Sequence, residues 1–147
     1  MLQNSLLNNR ILLTSLLAWA VAQVSKTIID LLRQRKLILS RLVSSGGMPS
    51  SHSALVTGLA TSTGRVMGVG SASFAIAVVV ASIVMYDAAG VRRAVSIQAR
   101  ILNQMIEEAF QGSPMAEKRL RELIGHTPVQ VLVGALLGIG IGLLVTI

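Results

Sequence analysis

An all-α, polytopic membrane helix bundle is the fold class this chain predicts, with about four transmembrane helices and an amphipathic cytoplasmic helix in one integral membrane domain over residues 1–147. Three observations carry that prediction. Hydrophobic residues make up 52% of the chain and charged residues 13%, and mean hydropathy is +0.70, a balance that suits lipid better than water as solvent. Segments of the roughly 20 apolar residues that a helix needs to cross hydrocarbon recur along the sequence. The cations, finally, concentrate in two stretches that four crossings would place on one side of a bilayer.

Residues 11–32 form the first apolar segment, with Lys26 and Asp30 toward its end. The preceding run, 1–9, has no charged side chain, and the apolar stretch after it is too long for a cleaved signal peptide, so it is expected to remain as the first helix. Residues 52–70 form a weaker candidate that carries Arg65 and many Gly, Ser and Thr residues; small residues favour close helix packing over lipid exposure. Residues 71–89 are apolar up to Asp87, and 129–147 contain no charge at all. Within that last segment Gly134, Gly138 and Gly142 make a stripe of small residues suited to close contact, either across a homodimer or against the first helix. Between these two segments, residues 92–110 place Val95, Leu102, Ile106 and Phe110 at helical spacing, with Gln98, Asn103, Glu107 and Glu108 elsewhere. That pattern predicts an amphipathic helix at the membrane interface or packed over the bundle. Gln111-Gly112-Ser113-Pro114 ends it, a short charged helix over 115–124 follows, and Gly125 stops that helix before His126.

With four crossings, residues 33–51 and 90–125 share one side. That side holds Arg33, Arg35, Lys36, Arg41, Arg92, Arg93, Arg100, Lys118, Arg119 and Arg121, against Arg10 and Arg65 on the other. The positive-inside rule makes the shared side cytoplasmic. Topology and attraction to anionic membrane lipids account for most of the net charge of +7. Nucleic acid is excluded as a partner, because the basic residues are interrupted by apolar stretches and aromatics are only 3% of the chain. The chain has no cysteine, which rules out disulfides and thiolate chemistry.

One of only two histidines lies in Gly46-Gly47-Met48-Pro49-Ser50-Ser51-His52-Ser53-Ala54, at the start of the second segment. If a helix begins there, its free backbone N–H groups, the positive end of its dipole and the serine hydroxyls offer an anion site with an acid/base group built in. A helix cap with a histidine at the membrane surface fits the same residues. The other histidine, His126, opens the last segment on the same side. Lys26 ends the first segment there, and Asp87, Arg92 and Arg93 end the third. Any one of these residues reads most simply as an interfacial anchor, but independent anchors are more often Lys, Arg or Trp than two histidines.

The Gly-Gly-Met-Pro-Ser-Ser-His-Ser-Ala block, the block Tyr86-Asp87-Ala88-Ala89-Gly90-Val91-Arg92-Arg93 and the block Gly125-His126-Thr127-Pro128-Val129-Gln130-Val131 together resemble a known family. They are similar to the type 2 phosphatidic acid phosphatases, which are related to vanadium haloperoxidases, and in particular to a compact, divergent membrane branch. The resemblance covers most of the chain. It implies a phosphate site in which Lys26 and Arg33, or Arg35, hold the phosphate, and Pro49-Ser50-Ser51-His52 stands for the element whose histidine protonates the leaving group. His126 takes the place of the nucleophilic histidine. Leu120 occupies a position the active family gives to Arg, and Gln130 one it gives to Asp. Arg92 or Arg93 then stands in for the missing Arg, and Gln130 or Asp87 for the missing carboxylate. An orienting carboxylate matters: in the serine proteases, replacing it by an amide lowers turnover about ten-thousandfold.

Two functions follow from the resemblance. One is a metal-independent, cofactor-free membrane phosphatase that acts on lipid phosphate monoesters or pyrophosphates through a phosphohistidine, with His126 and His52 catalytic and Ser50 and Ser51 helping to hold phosphate. The other is a catalytically inactive protein for lipid-phosphate binding, transport or membrane-complex assembly. Either takes a lipid phosphate or another phosphate-bearing amphiphile as its partner.

Overall fold

The computed structural model describes residues 8–34, 47–109 and 126–146, with Arg33, Gln34, Arg92 and Arg93 described by their backbone alone. It contains five helices among the described residues: α1 (Arg10–Gln34), α2 (Ser51–Met67), α3 (Ala72–Ala89), α4 (Val91–Ala109) and α5 (Pro128–Val145). The expected short helix over 115–124 lies outside the described residues, as does Phe110.

The bundle is organised around α2, which packs against α1, α3 and α5, while α1 and α5 also meet. Sequence explains this placement. Ser53, Ala54, Thr57, Gly58, Ala60, Ser62 and Thr63 are all buried on α2, and such small side chains let neighbouring backbones come close. A β-carbon on Gly58 would press on the Ala18 side chain of α1, and one on Gly64 on the Phe74 ring of α3. The hydroxyls are used as well. Ser15 Oγ donates to the Leu55 carbonyl (3.0 Å) and Thr57 Oγ1 to the Ala135 carbonyl (3.1 Å), bonds worth roughly 0.6 kcal/mol each in a membrane bundle.

Three helices are long and apolar enough to cross a membrane, and α2 is not among them. At 17 residues it spans about 25 Å. The expected fourth crossing is therefore a shorter, more polar helix shielded by the other three. Its hydroxyl content, which lowers its hydropathy, is what its central position requires.

The glycine stripe has a different role from those expected. Gly134, Gly138 and Gly142 face α2 and not α1: a β-carbon there would run into the Ser50 backbone, the Ala54 carbonyl with the Thr57 hydroxyl, and the Thr61 side chain, respectively. The helices of the bundle, α1, α2, α3 and α5, alternate in direction. At one end Arg65 donates through Nε to the Thr146 carbonyl, and Thr146 Oγ1 donates to Thr14 Oγ1 (3.2 Å). The other end gathers the last turns of α1 and α3 and the first turns of α2 and α5.

The amphipathic segment forms α4, which follows α3 after Gly90. Val91, Val95, Ile101, Leu102 and Met105 are exposed on it, while Ala99 and Asn103 are buried. Among the described elements α4 packs only on α3, an arrangement suited to an apolar face laid in a membrane interface.

Candidate functional site

Ser50 caps α2, its hydroxyl accepting from the Ser53 N–H (3.4 Å) and the Ser53 hydroxyl (3.0 Å). Ser50, Ser51 and Ser53 are all buried. The Ser50 oxygen is thus engaged within the chain as an acceptor from Ser53. The Ser50 N–H donates to the Gln130 carbonyl (3.1 Å), which joins the start of α2 to the start of α5. Gly134 makes that approach sterically open.

His126 precedes α5 and is only 2% exposed. Its N–H donates to the Ala88 carbonyl (3.1 Å), one of the carbonyls that the end of α3 leaves without an intrahelical partner. Its Nδ1 faces Gln130 Oε1 at 3.3 Å. Gln130 in turn belongs to a capping box: Gln130 Oε1 accepts from the Thr127 N–H (3.0 Å), and the Thr127 hydroxyl accepts from the Gln130 N–H (3.4 Å). The other ring nitrogen, Nε2, is buried with no hydrogen-bond partner among the described residues. Buried polar atoms are nearly always satisfied, so an unsatisfied one calls for an explanation, such as a bound water or ion or a catalytic role.

The His52 ring, half-buried in the first turn of α2, meets the His126 ring edge-on, with centroids 6.5 Å apart and planes at 61°. Lys26, 1% exposed, reaches the same region from α1. Gly47, with φ of +94°, lies over the Lys26 stem, and a β-carbon there would sit 3.3 Å from Cγ and Cδ. Burial pushes the His126 imidazole below its ordinary value; the Gln130 hydrogen bond opposes this, the charges of Lys26 and His52 add to it, and the Gly47 backbone opposes it weakly. His126 is accordingly neutral at neutral pH.

Nearly the whole chain, residues 7–141, matches the model of the divergent PAP2 family. The chain belongs to that family. It is 43% identical over 145 residues to the uncharacterized membrane protein YuiD of Bacillus subtilis (strain 168), with 91% of this chain and 92% of that protein covered. No solved structure matches. As a divergent PAP2 member the chain is a phosphatase-related membrane protein.

Of the residues that the sequence nominated, Lys26, Ser50, Ser51, His52, His126 and Gln130 come together at one end of the bundle. Asp87 lies at that end too, next to Ala88, yet the partner of His126 Nδ1 is Gln130, and among the described residues no carboxylate is among the groups that act on the His126 charge. Arg35 lies outside the described residues, and Arg33, Arg92 and Arg93 are placed only by their backbone, on the last turn of α1 and the first turn of α4. Sequence reasoning gave no role to Gly47 and Ala88, which act through their backbone, and read Gly134 as a close-contact residue without the α2 partner it has. It also missed the Thr127 cap, although Thr-Pro-x-Gln at the head of an apolar run is a readable capping-box signal.

Proposed function

We propose that this divergent PAP2 protein binds the terminal phosphate of a membrane lipid, a monoester or pyrophosphate, at the cytoplasmic end of its bundle and transfers the phosphoryl group to His126. The observation that carries this reading is the buried Nε2 of His126, which has no hydrogen-bond partner among the described residues, on a ring that meets His52 and feels the charge of Lys26. In the first step the Nε2 lone pair attacks phosphorus, the bond from phosphorus to the lipid oxygen breaks, and protonated His52 gives its proton to that oxygen. Water, losing a proton to the now neutral His52, then attacks the phosphohistidine and releases inorganic phosphate. Lys26 neutralises charge on the phosphoryl oxygens, as would Arg33, Arg35, Arg92 or Arg93.

A second reading, lipid-phosphate binding without turnover, is favoured by two observations. The Nδ1 partner is an amide, so no full negative charge stabilises the imidazolium. An in-line path also needs about 3 Å for attack and about 3 Å for the hydrogen bond to the leaving oxygen, with a P–O bond between them. Rings 6.5 Å apart between centroids can both touch one phosphate and leave that path little slack.

Phosphate release from lipid phosphates by purified protein in detergent, compared with His126→Ala and His52→Ala, tests the reading. Turnover lost in both variants supports it. Equal traces from all three proteins reject catalysis; if labelled lipid phosphate still binds the parent protein and not Lys26→Ala, the binding reading stands.

A further inference from the structure

We infer that the first turn of α5 acts as a positioning device, in which Thr127 locks the Gln130 amide so that His126 keeps its proton on Nδ1 and its lone pair on Nε2. This inference rests on the reading of His126 as the phosphate-facing histidine.

An amide side chain can present either its oxygen or its nitrogen to a neighbour, and in general the two ends are interchangeable. Here they are not. The Thr127 N–H can only donate, and it points at Gln130 Oε1 from 3.0 Å. The end of the amide nearest His126 is therefore the acceptor. His126 Nδ1, at 3.3 Å from the same oxygen, must then carry the hydrogen, which leaves the neutral ring with an open lone pair on Nε2. Free histidine favours the opposite tautomer. A carboxylate would impose the same choice through its charge, whereas here a backbone N–H at a helix terminus imposes it through geometry.

The device also reaches α2. The Thr127 hydroxyl holds the Gln130 N–H, and the Gln130 carbonyl takes the Ser50 N–H. One turn of helix therefore sets the His126 ring and the start of the serine-histidine turn against each other. Thr127 itself is exposed and touches no reacting atom, so it is a positioning residue.

The test is nitrogen NMR of the full chain in detergent, with the His126 signals assigned by comparison with His126→Gln. Among the described residues the groups that act on His126 are Lys26 from α1, His52 from α2, the Gln130 side chain and the Gly47 backbone, with Asp87 at the adjoining end of α3, and spectra are taken well above the ordinary histidine pKa so that the His126 ring is neutral. The parent protein and Thr127→Ser should show a protonated Nδ1 and an unprotonated Nε2. Gln130→Leu should revert toward the Nε2-protonated form, and Thr127→Val should move in the same direction. Gln130→Glu should keep the Nδ1 proton and raise the pH at which His126 titrates. A protonated Nε2 in the parent protein, or an unchanged tautomer in Gln130→Leu, overturns the inference. Helix content by circular dichroism identifies a variant that has lost its fold, in which case Thr127→Ser and Gln130→Glu decide. Inorganic phosphate titrated into the same samples separates the two ideas: the expected tautomer with no phosphate binding leaves the device standing and removes the phosphate reading, while phosphate binding at least about tenfold weaker in Gln130→Leu supports both.

Discussion

Adding a single methyl group at Gly134 should disable the site from a position that no ligand touches. A β-carbon there would lie 3.0 Å from both the carbonyl carbon and the nitrogen of Ser50, and nearer still to its oxygen. Ordinary carbon contacts are about 3.5–4.0 Å, so α2 and α5 must part by about 0.5–1 Å at the start of both helices. Backbone cannot step aside as a flexible side chain can. The 3.1 Å bond from the Ser50 N–H to the Gln130 carbonyl would stretch out of range, and the relation of His52 to His126 would change with it. Overpacking of this kind costs about 1–3 kcal/mol, partly offset by the gain of about 0.5–1 kcal/mol that alanine brings to a helix. Gly134→Ala should therefore unfold a few degrees lower and bind inorganic phosphate at least about tenfold more weakly, since a shift of roughly 1 Å in a positioned group can cost about a hundredfold. Gly140→Ala is the control: the same substitution on the same helix meets nothing within 4 Å, and should leave both properties unchanged or raise stability slightly. The assay is thermal unfolding in detergent with phosphate titration of each variant. Parent-like stability and affinity in Gly134→Ala would refute the claim that the α2–α5 approach builds the site.

The same geometry sets the pH response of the fold and the roles of Lys26 and Gly47. Because burial holds His126 below its ordinary value of 6.5, the unfolded chain binds more protons than the native one between the lowered value and 6.5; stability should fall as pH drops through that window and level off below it. Unfolding temperature against pH should show this slope in the parent protein and lose that component in His126→Gln; an opposite slope counts against a buried neutral imidazole. Lys26→Met keeps the stem that packs under Gly47 and removes the charge, so helix content should survive while phosphate binding weakens at least about tenfold, as expected when a charge-assisted contact is lost; unchanged affinity in a phosphate titration would remove Lys26 from the site. Gly47→Ala forces a β-carbon into the left-handed region, worth about 1–2 kcal/mol, and to within 3.3 Å of the Lys26 stem; thermal unfolding should register the loss, and a neutral result would show that the turn is not held in this shape.

The membrane character, the helical architecture and the family were all legible in residue types and their order. Hydropathy follows from composition, and helix boundaries follow from local chemistry: Ser50 caps α2, Gly68 with φ of +85° ends it, and Gly90 separates α3 from α4. The two histidines could also be placed at one end, because each opens an apolar segment and successive crossings alternate in direction. These are local or periodic properties, set within a turn or two of each residue.

Which side chain serves His126 was a different kind of question. Asp87 and Gln130 were both available, and a carboxylate is the stronger electrostatic partner for an imidazole, yet the Thr127 cap puts Gln130 within reach by folding one helical turn around itself. The burial of Lys26, the seating of the glycine stripe on α2 and the pairing of the Ala88 carbonyl with the His126 N–H depend on how helices far apart in sequence close on one another. Close packing is a matter of ångströms between backbones, and the order of residues carries no record of those distances until α1, α2, α3 and α5 are assembled.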